Sequence, residues 1–175
     1  GVPTDDYHKG YFIPDDQEVT VKEYLDREPR FYAWIATDRS LWRTYGMLYQ
    51  MRLRFNQWAG GGSQASGGEY YQTGIAIKKW VHPETQNLFW ERIVVFPFPL
   101  IRLSDLYLMY AEALNEYNGP SDEVYQYLDR IRERAGLPGI KEVWSNPEIV
   151  KHPGKHLTQD GLRKIIRDER AVELS

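Results

Sequence analysis

The sequence of 175 residues contains no cysteine, which excludes disulfide bonds, thiolate metal sites and catalysis by a nucleophilic thiol. It lacks an apolar run long enough to span a bilayer, because the longest, residues 93–101, is interrupted by Pro97 and Pro99. Long basic runs are absent and the net charge is −3, so we expect no nucleic-acid partner. We expect this stretch of chain to be soluble.

Short motifs typical of common enzymes are also missing. The sequence has no Gly-x-Ser-x-Gly, no P-loop and no Gly-x-Gly-x-x-Gly, and no spacing singles out a carboxylate pair for glycoside hydrolysis. His152 and His156 are four residues apart, but the Pro-Gly pair between them prevents a regular helix from presenting both to a metal. We therefore expect no enzymatic activity, no cofactor and no histidine metal site.

The second half of the sequence has capped, amphipathic segments that predict a helical hairpin. One helix is predicted over residues 103–117, with Ser104 as its N-cap and Asn118-Gly119-Pro120 at its end. The next is predicted over residues 121–135, with Ser121 as its N-cap. Because the connection is short, the two helices should be antiparallel.

A third helix is predicted to begin near Thr158 or Asp160. Each predicted helix has one apolar face that should point inward. The inward residues predicted for the three helices are Leu103, Tyr107, Tyr110, Ala111 and Leu114; Val124, Tyr127, Leu128, Ile131 and Ala135; and Leu162, Ile165, Ile166 and Val172.

The first hundred residues are less regular. Residues 41–58 fit a helix by the four-residue spacing of Met47, Met51 and Phe55, but their alternation also fits a strand, which we favour. For the rest we predict a short helix over residues 19–26 capped by Thr20, extended runs over 30–37, 70–81 and 90–96, and a loop over the Gly/Ser-rich residues 59–68.

These patterns predict a mainly α fold, with one or more tetratricopeptide-like helical hairpins, irregular loops and a few short strands. Residues 1–175 are expected to form a single partial domain. Within it, residues 1–100 are a loop and short-strand region on the ligand side, and residues 101–175 are the helical hairpin region. One hairpin cannot bury its own faces, so we expect further helical partners elsewhere.

Five segments in this order resemble the SusD/RagB family, and the resemblance covers about residues 25–174. They are Arg27-Glu-Pro-Arg-Phe-Tyr32, Gly74-Ile-Ala-Ile-Lys-Lys-Trp-Val81, Arg102-Leu-Ser-Asp-Leu-Tyr-Leu-Met-Tyr-Ala-Glu-Ala-Leu-Asn-Glu116, Tyr127-Leu-Asp-Arg-Ile-Arg-Glu-Arg-Ala-Gly-Leu-Pro138 and Leu162-Arg-Lys-Ile-Ile-Arg-Asp-Glu-Arg-Ala-Val-Glu-Leu174. The resemblance implies a middle-to-late piece of a longer protein, without its N-terminal half and its extreme C-terminus.

Members of that family are nutrient-binding lipoproteins, anchored by lipid and facing outward on the outer membrane of Bacteroidetes-type bacteria. They pair with a TonB-dependent, SusC-like barrel and capture polysaccharide or oligosaccharide, or in some cases peptide. The resemblance therefore implies non-catalytic capture of a glycan for delivery to such a transporter. It also leaves room for a structural cation held by carboxylates and carbonyls.

Aromatic residues beside loops are the candidates for glycan contact, because indole and phenol rings stack on the apolar face of a sugar. Amides and charges nearby would bind its hydroxyl groups. The candidate ligand-binding residues are Trp42, Tyr45, Gln57, Trp58, Tyr70, Tyr71 and Gln72, with Asp38, Arg39, Ser40, Arg43 and Asn56 as polar neighbours.

Other residues have plainer interpretations. Trp34, Trp80 and Trp90 lie in strand-like patterns and are expected in the core, while Trp144 fits either role. The arginines at 130, 132, 134, 167 and 170 are interspersed with acids and predict a solvated, salt-bridged surface. Two other functions remain open: a tetratricopeptide-type adaptor that binds a peptide or protein, and a glycan hydrolase without a recognisable motif.

Overall fold

The computed structural model describes residues 2–3, 19–44, 47–51, 53, 75–85, 93–95 and 97–174. The chain divides into two compact units, Gly1–Pro97 and Phe98–Ser175, called here the first unit and the helical unit. Its regular structure is mostly helical and its strands are short, so the predicted mainly α class is confirmed. None of the helices that the structure describes is both long and apolar enough to cross a membrane.

The strands that the structure describes in the first unit form short antiparallel pairs. β1 pairs with β2, β3 with β6, and β4 with β5. The strand prediction for residues 41–58 is confirmed over 41–44 and 47–50, whereas Met51 and Leu53 belong to no strand. The strands are β1 Val2–Pro3, β2 Val19–Thr20, β3 Ile35–Thr37, β4 Leu41–Thr44, β5 Met47–Gln50 and β6 Ile75–Ile77.

The strand predicted over residues 30–37 is wrong for its first five positions. A helix, α1, spans Pro29–Trp34, and β3 begins only at Ile35. The proline stands at the start of the helix, where its missing N–H leaves no hydrogen bond unmade. The buried Arg30 guanidinium donates to the Glu28 carboxylate at 2.7 and 2.9 Å. These contacts outweigh the strand preference of the aromatic residues.

Other predictions for the first unit need correction. The helix expected over residues 19–26 is wrong: β2 is followed by a 3₁₀ turn, Lys22–Tyr24, which has no side-chain cap. Of residues 75–81, the described part of the predicted 70–81 run, Ile75–Ile77 form a strand and residues 78–81 do not. Residues 93–95, the described part of the predicted 90–96 run, belong to no strand or helix. Residues 59–68 lie outside the described part of the chain.

The helical unit contains the predicted hairpin and third helix. Its helices are α2 Leu103–Asn118, α3 Asp122–Arg134, α4 Ile140–Ser145 and α5 Gln159–Leu174, with a 3₁₀ turn at Lys155–Leu157 before α5. The short α4 helix was not predicted, because six residues are too few to show a helical period.

Both ends of the hairpin connection are as predicted. Gly119 ends α2 with a φ of 75°, a conformation that glycine adopts without strain. Ser121 is the N-cap of α3, and its hydroxyl accepts from the Val124 N–H at 3.4 Å. The cap predicted at Ser104 is wrong, because α2 already begins at Leu103 and its N-cap is Arg102.

Side-chain contacts show that α2 and α3 are antiparallel. Tyr110, later in α2, donates its hydroxyl hydrogen to the carboxylate of Glu123 at the start of α3, at 3.2 Å. Tyr107, one turn earlier in α2, lies 5.6 Å by its ring centre from the Arg130 guanidinium, later in α3. The predicted antiparallel hairpin is therefore confirmed.

The core of the helical unit is formed by α2, α3, α4 and α5 together. Leu103, Tyr110 and Val172, which were predicted to face inward, are 60%, 45% and 41% exposed. The inward side of α2 is centred on Leu108 and Ala111, of which Ala111 was predicted and Leu108 was not, because α2 packs against both α3 and α5. The buried core residues are Leu108, Ala111, Val124, Tyr125, Leu128, Ile131, Ile140, Leu162, Ile165 and Ile166, with Tyr107, Leu114, Tyr127 and Trp144 packed at their margin.

The start of α5 is held by a close backbone approach. Thr158 accepts the Gly161 N–H with its hydroxyl oxygen at 3.1 Å. A Cβ atom added at Gly161 would stand 1.9 Å from the Lys155 carbonyl oxygen, so no other residue fits without moving the preceding turn. The third helix is thus confirmed, beginning one residue after Thr158.

Candidate functional site

Trp42 is the candidate ligand residue that the structure describes, and it lies on strand β4 rather than in a loop. Its side chain is half-buried and packs, with Met51, against the small cluster of Ala36, Leu53 and Ala76. Part of the indole is therefore used for packing and part is accessible. The other candidates, Tyr45, Gln57, Trp58, Tyr70, Tyr71 and Gln72, lie outside the described residues.

A buried polar turn precedes Trp42 and fixes the start of β4. Arg39 has a φ of 69°, and its N–H donates to the Met51 carbonyl at 2.8 Å. The Met51 N–H returns a bond to the Ser40 carbonyl at 2.9 Å. The Asp38 carboxylate accepts from the buried Leu53 N–H at 3.0 Å. These bonds tie residues 38–40 to Met51 and Leu53, which follow strand β5.

That turn changes the interpretation of the polar neighbours of Trp42. Asp38, Arg39 and Ser40 are at least nine-tenths buried, and their charges and hydroxyl are engaged within the turn. They serve as a frame for β4 and not as a free set of sugar-binding groups. Of the described polar residues predicted there, Arg43 is exposed.

Lys78 lies just beyond β6 and reaches the strand that carries Trp42. Its N–H continues the strand pairing by donating to the Trp34 carbonyl at 2.9 Å. Its ammonium group donates to the Leu41 carbonyl at 3.4 Å. Burial lowers the pKa of Lys78 below its ordinary value, because the charged form loses part of its hydration.

A second aromatic group brings Trp34 and Trp80 together around Lys79. The Lys79 ammonium lies 3.9 Å from the ring centre of Trp34 and 5.4 Å from that of Trp80, within range of cation–π attraction. Trp80 is 38% exposed and Trp34 is half-buried, so the prediction that both belong to the core is wrong for Trp80. Trp90 lies outside the described residues.

Trp80 could have been identified from the sequence. The alternating apolar run that leads to Trp80 predicts a strand, but His82-Pro83 begins only two residues after Trp80. Proline is disfavoured inside a sheet, so the run should end before it. In the structure the chain turns at residues 78–81, where the Val81 N–H donates to the Lys78 carbonyl at 3.1 Å. An aromatic residue in such a turn is exposed more readily than one in a strand.

The charged residues of the helical unit join helices to one another. Arg132 and Arg134 of α3 bind Glu169 and Glu173 of α5 at 2.8 and 2.6 Å, and both carboxylates are buried. The salt bridges were predicted, but their placement on a solvated surface is wrong for these two pairs. Arg130 instead lies beside the rings of Tyr107 and Tyr127.

Along α5, the other arginines pair with carboxylates of α2. Arg163 binds Glu116, Arg167 binds Glu112 at 3.3 Å, and Arg170 binds Asp105 at 2.9 Å. These pairs run in opposite order along the two helices, so α2 and α5 are antiparallel. Their acids are used for helix packing.

The two histidines of the helical unit are in different surroundings. His152 is exposed, whereas the ring of His156 is buried against Tyr125. Burial lowers the pKa of His156, and the nearby Lys141 lowers it further, although a backbone hydrogen bond with Trp144 opposes both. Among the residues that the structure describes, no group of three or more His, Asp or Glu side chains could hold a metal ion.

Comparisons with known proteins agree on one family. A model of the SusD family matches residues 4–175. Two similar proteins of Formosa agariphila are SusD-like protein P25, 42% identical over 76 residues, and SusD-like protein P2, 38% identical over 78 residues. Each match covers 43% of this chain, but only 12% and 14% of the respective relatives.

A solved structure named BT4246 is also similar. It has a TM-score of 0.54 and 25% sequence identity, and the match covers 86% of this chain and 24% of BT4246. The chain therefore spans about a quarter of that structure and a smaller share of the two sequence relatives. The family resemblance predicted from the sequence is confirmed.

Proposed function

The chain belongs to the SusD family. From that premise we propose that it binds glycan without catalysing a reaction on it, as part of a longer lipid-anchored protein on the bacterial surface. The captured glycan would pass to a TonB-dependent outer-membrane transporter. Proteins of this family act by binding, and the buried acids Asp38, Glu169 and Glu173 are engaged in hydrogen bonds or ion pairs that hold the fold. That use of the carboxylates supports binding in preference to hydrolysis.

The observation that carries the proposal is the accessibility of indole rings in the first unit, which we propose to form the glycan-binding surface. Trp80 is exposed, and Trp34 and Trp42 are half-buried on elements tied by hydrogen bonds. A partly accessible indole offers a flat apolar face to the C–H groups of a sugar ring, while its other face packs on the protein. The remaining predicted residues, Tyr45, Gln57, Trp58, Tyr70, Tyr71 and Gln72, are proposed to extend this surface.

Binding of a glycan panel by calorimetry tests the proposal. Trp80→Ala should weaken binding of whichever glycan the wild-type chain recognises by about tenfold, because stacking contributes about 1 kcal/mol or more per ring. Trp42→Leu retains an apolar side chain against the small cluster and should also weaken binding. Tyr117→Ala, which removes an 85% exposed aromatic ring from the helical unit, is the matched control.

Thermal melts separate a contact from a structural role. Trp80→Ala should melt with the wild type, since an exposed indole supports little core. Wild-type affinity in both tryptophan variants would contradict the proposed surface. Lost binding accompanied by an equally large loss of stability would show that these rings serve packing and not ligand contact.

A peptide-binding adaptor is the second candidate, and one observation favours it. Leu103, Leu106, Tyr110 and Tyr117 line one exposed side of α2 at helical spacing. Peptide binding that is lost in Leu106→Ser but retained in Trp80→Ala would favour the adaptor over glycan capture.

A further inference from the structure

Lys78 is a half-buried cation whose partners in the structure are few. An ammonium group has three N–H donors. One of them reaches the Leu41 carbonyl at the long distance of 3.4 Å, and within the described part of the chain no carboxylate forms an ion pair with Lys78. Burial lowers its pKa, because the charged form loses part of its hydration. Partial burial of a charge without a counter-charge costs free energy.

The Lys78 side chain lies beside strand β4, which carries the candidate ligand residue Trp42. Ala76 is buried in the small cluster on which Trp42 packs. Side chains alternate along extended backbone, and Lys78 follows Ala76 by two residues while its N–H continues the pairing to Trp34. Lys78 and Ala76 therefore share one face. The bond to Leu41 ends at the residue that directly precedes Trp42.

We propose that the glycan bound by this chain is anionic, and that its acidic group binds the Lys78 ammonium while a sugar ring stacks on Trp42. The acidic group is a uronic acid carboxylate or a sulfate ester. This inference rests on the glycan capture proposed above and adds the charge of the ligand. An anion would supply the counter-charge that Lys78 lacks within the described residues, and its oxygens would accept the remaining ammonium donors.

Three polymers of different charge test the inference by calorimetry with the 175-residue chain. Oligogalacturonate carries carboxylates, dextran sulfate carries sulfate esters, and dextran is neutral. We expect the wild type to bind oligogalacturonate or dextran sulfate more tightly than dextran, and the preferred polymer identifies the acidic group. Binding of the preferred anion should weaken with added salt, because the attraction is electrostatic.

Lys78→Met removes the charge and keeps a long apolar side chain. It should weaken binding of the preferred anionic polymer by about fivefold to tenfold and leave dextran binding unchanged. Lys78→Arg keeps the charge and should retain most of the affinity. Lys151→Met, which removes a charge from an exposed position in the helical unit, is the matched control for net charge. Thermal melts of each variant show whether it remains folded.

The outcomes separate this inference from the proposed function. Preference for dextran in the wild type, or an equal loss for all three polymers in Lys78→Met, would overturn the anionic ligand and leave glycan capture standing. Equal anion affinity in Lys78→Met and wild type would show that the lysine stem merely covers apolar surface. Anion binding that survives both Trp42→Leu and Trp80→Ala would instead contradict the aromatic surface.

Discussion

At the connection between α2 and α3, the residues that end one helix and begin the next bond to positions only a few residues away, whereas the first unit is joined by contacts between distant segments. Ser121 caps α3 through Val124, three residues later. Asp38 reaches Leu53, fifteen residues later, and β3 pairs with β6 some forty residues along the chain. Local signals can be recognised in a sequence, but the partner of a distant contact cannot.

The tryptophans allow the two units to be followed separately. Five of the six, at positions 34, 42, 58, 80 and 90, belong to the first unit, and Trp144 is in the helical unit. Tryptophan fluorescence therefore reports mainly on the first unit, and far-ultraviolet circular dichroism reports mainly on the long helices. Coincident urea transitions by the two probes would show that the units unfold together.

The largest effect is expected from the core of the helical unit. Leu128→Ala should lower the free energy of unfolding by about 2–5 kcal/mol, because it leaves a cavity at a fully buried position. Urea unfolding followed by circular dichroism measures it. Leu103→Ala removes the same side chain from a 60% exposed position and should cost less than about 0.5 kcal/mol. Equal losses would contradict the burial pattern of α2 and α3.

In the first unit, the largest loss of stability is expected from removing one buried hydrogen bond. Asp38→Ala leaves the buried Leu53 N–H without its acceptor, which should cost about 1–3 kcal/mol. The loss should be detected by tryptophan fluorescence, with faster hydrogen exchange at the Leu53 amide. Glu84→Ala removes an exposed carboxylate from the same unit and should change neither measurement. A protected Leu53 amide in Asp38→Ala would show that another group holds this segment.

A smaller effect separates a true cap from a predicted one. Ser121→Ala should lower the free energy of unfolding by about 1 kcal/mol, because the Val124 N–H loses its acceptor. Ser104→Ala should be neutral or slightly stabilising, since Ser104 lies inside α2 and alanine is the better helix former. A larger loss of unfolding free energy in Ser104→Ala than in Ser121→Ala would show that Ser104 caps α2, as the sequence predicted.

The mildest expected effect is a change in pH dependence. The pKa of His156 is lower in the folded chain than the ordinary value, so the unfolded chain takes up the proton first as pH falls. The stability contributed by neutral His156 is complete above the unfolded pKa of about 6.5 and is lost as pH falls from there toward the folded pKa. His156→Gln should flatten this slope in melts between about pH 7 and 5, and His152→Gln, at an exposed position, should keep it. If the pH dependence of the melts persists in His156→Gln, groups other than His156 cause it.

The hairpin connection in the helical unit was predictable because glycine and serine mark it. Gly119 and Ser121 stand where the hairpin turns, and both were identified from the sequence. The direction of the apolar faces was less predictable. Leu103 and Val172 belong to amphipathic segments but lie at their exposed margins, because the core position of a residue depends on which helices pack beside it.

The candidate site was only partly predictable for the same reason. Trp42 was identified as a ligand candidate from its polar neighbours, yet Asp38 and Arg39 are buried in a turn that supports β4. Trp80 was assigned to the core, although its turn exposes it. Lys78 was not singled out, because its environment arises from the pairing of β6 with β3 and from the distant Leu41 carbonyl.

The Arg102 side chain donates to the backbone carbonyl of Glu173, which lies 71 residues further along the chain. Closing so long a loop costs more chain entropy than closing the three-residue connection between α2 and α3. We therefore expect the hairpin to assemble first and α5 to dock afterwards. Docking transfers the carboxylates of Glu169 and Glu173 from water to the interior beside their arginines. The speed of this late step should fall as salt screens the attraction that guides α5 into place.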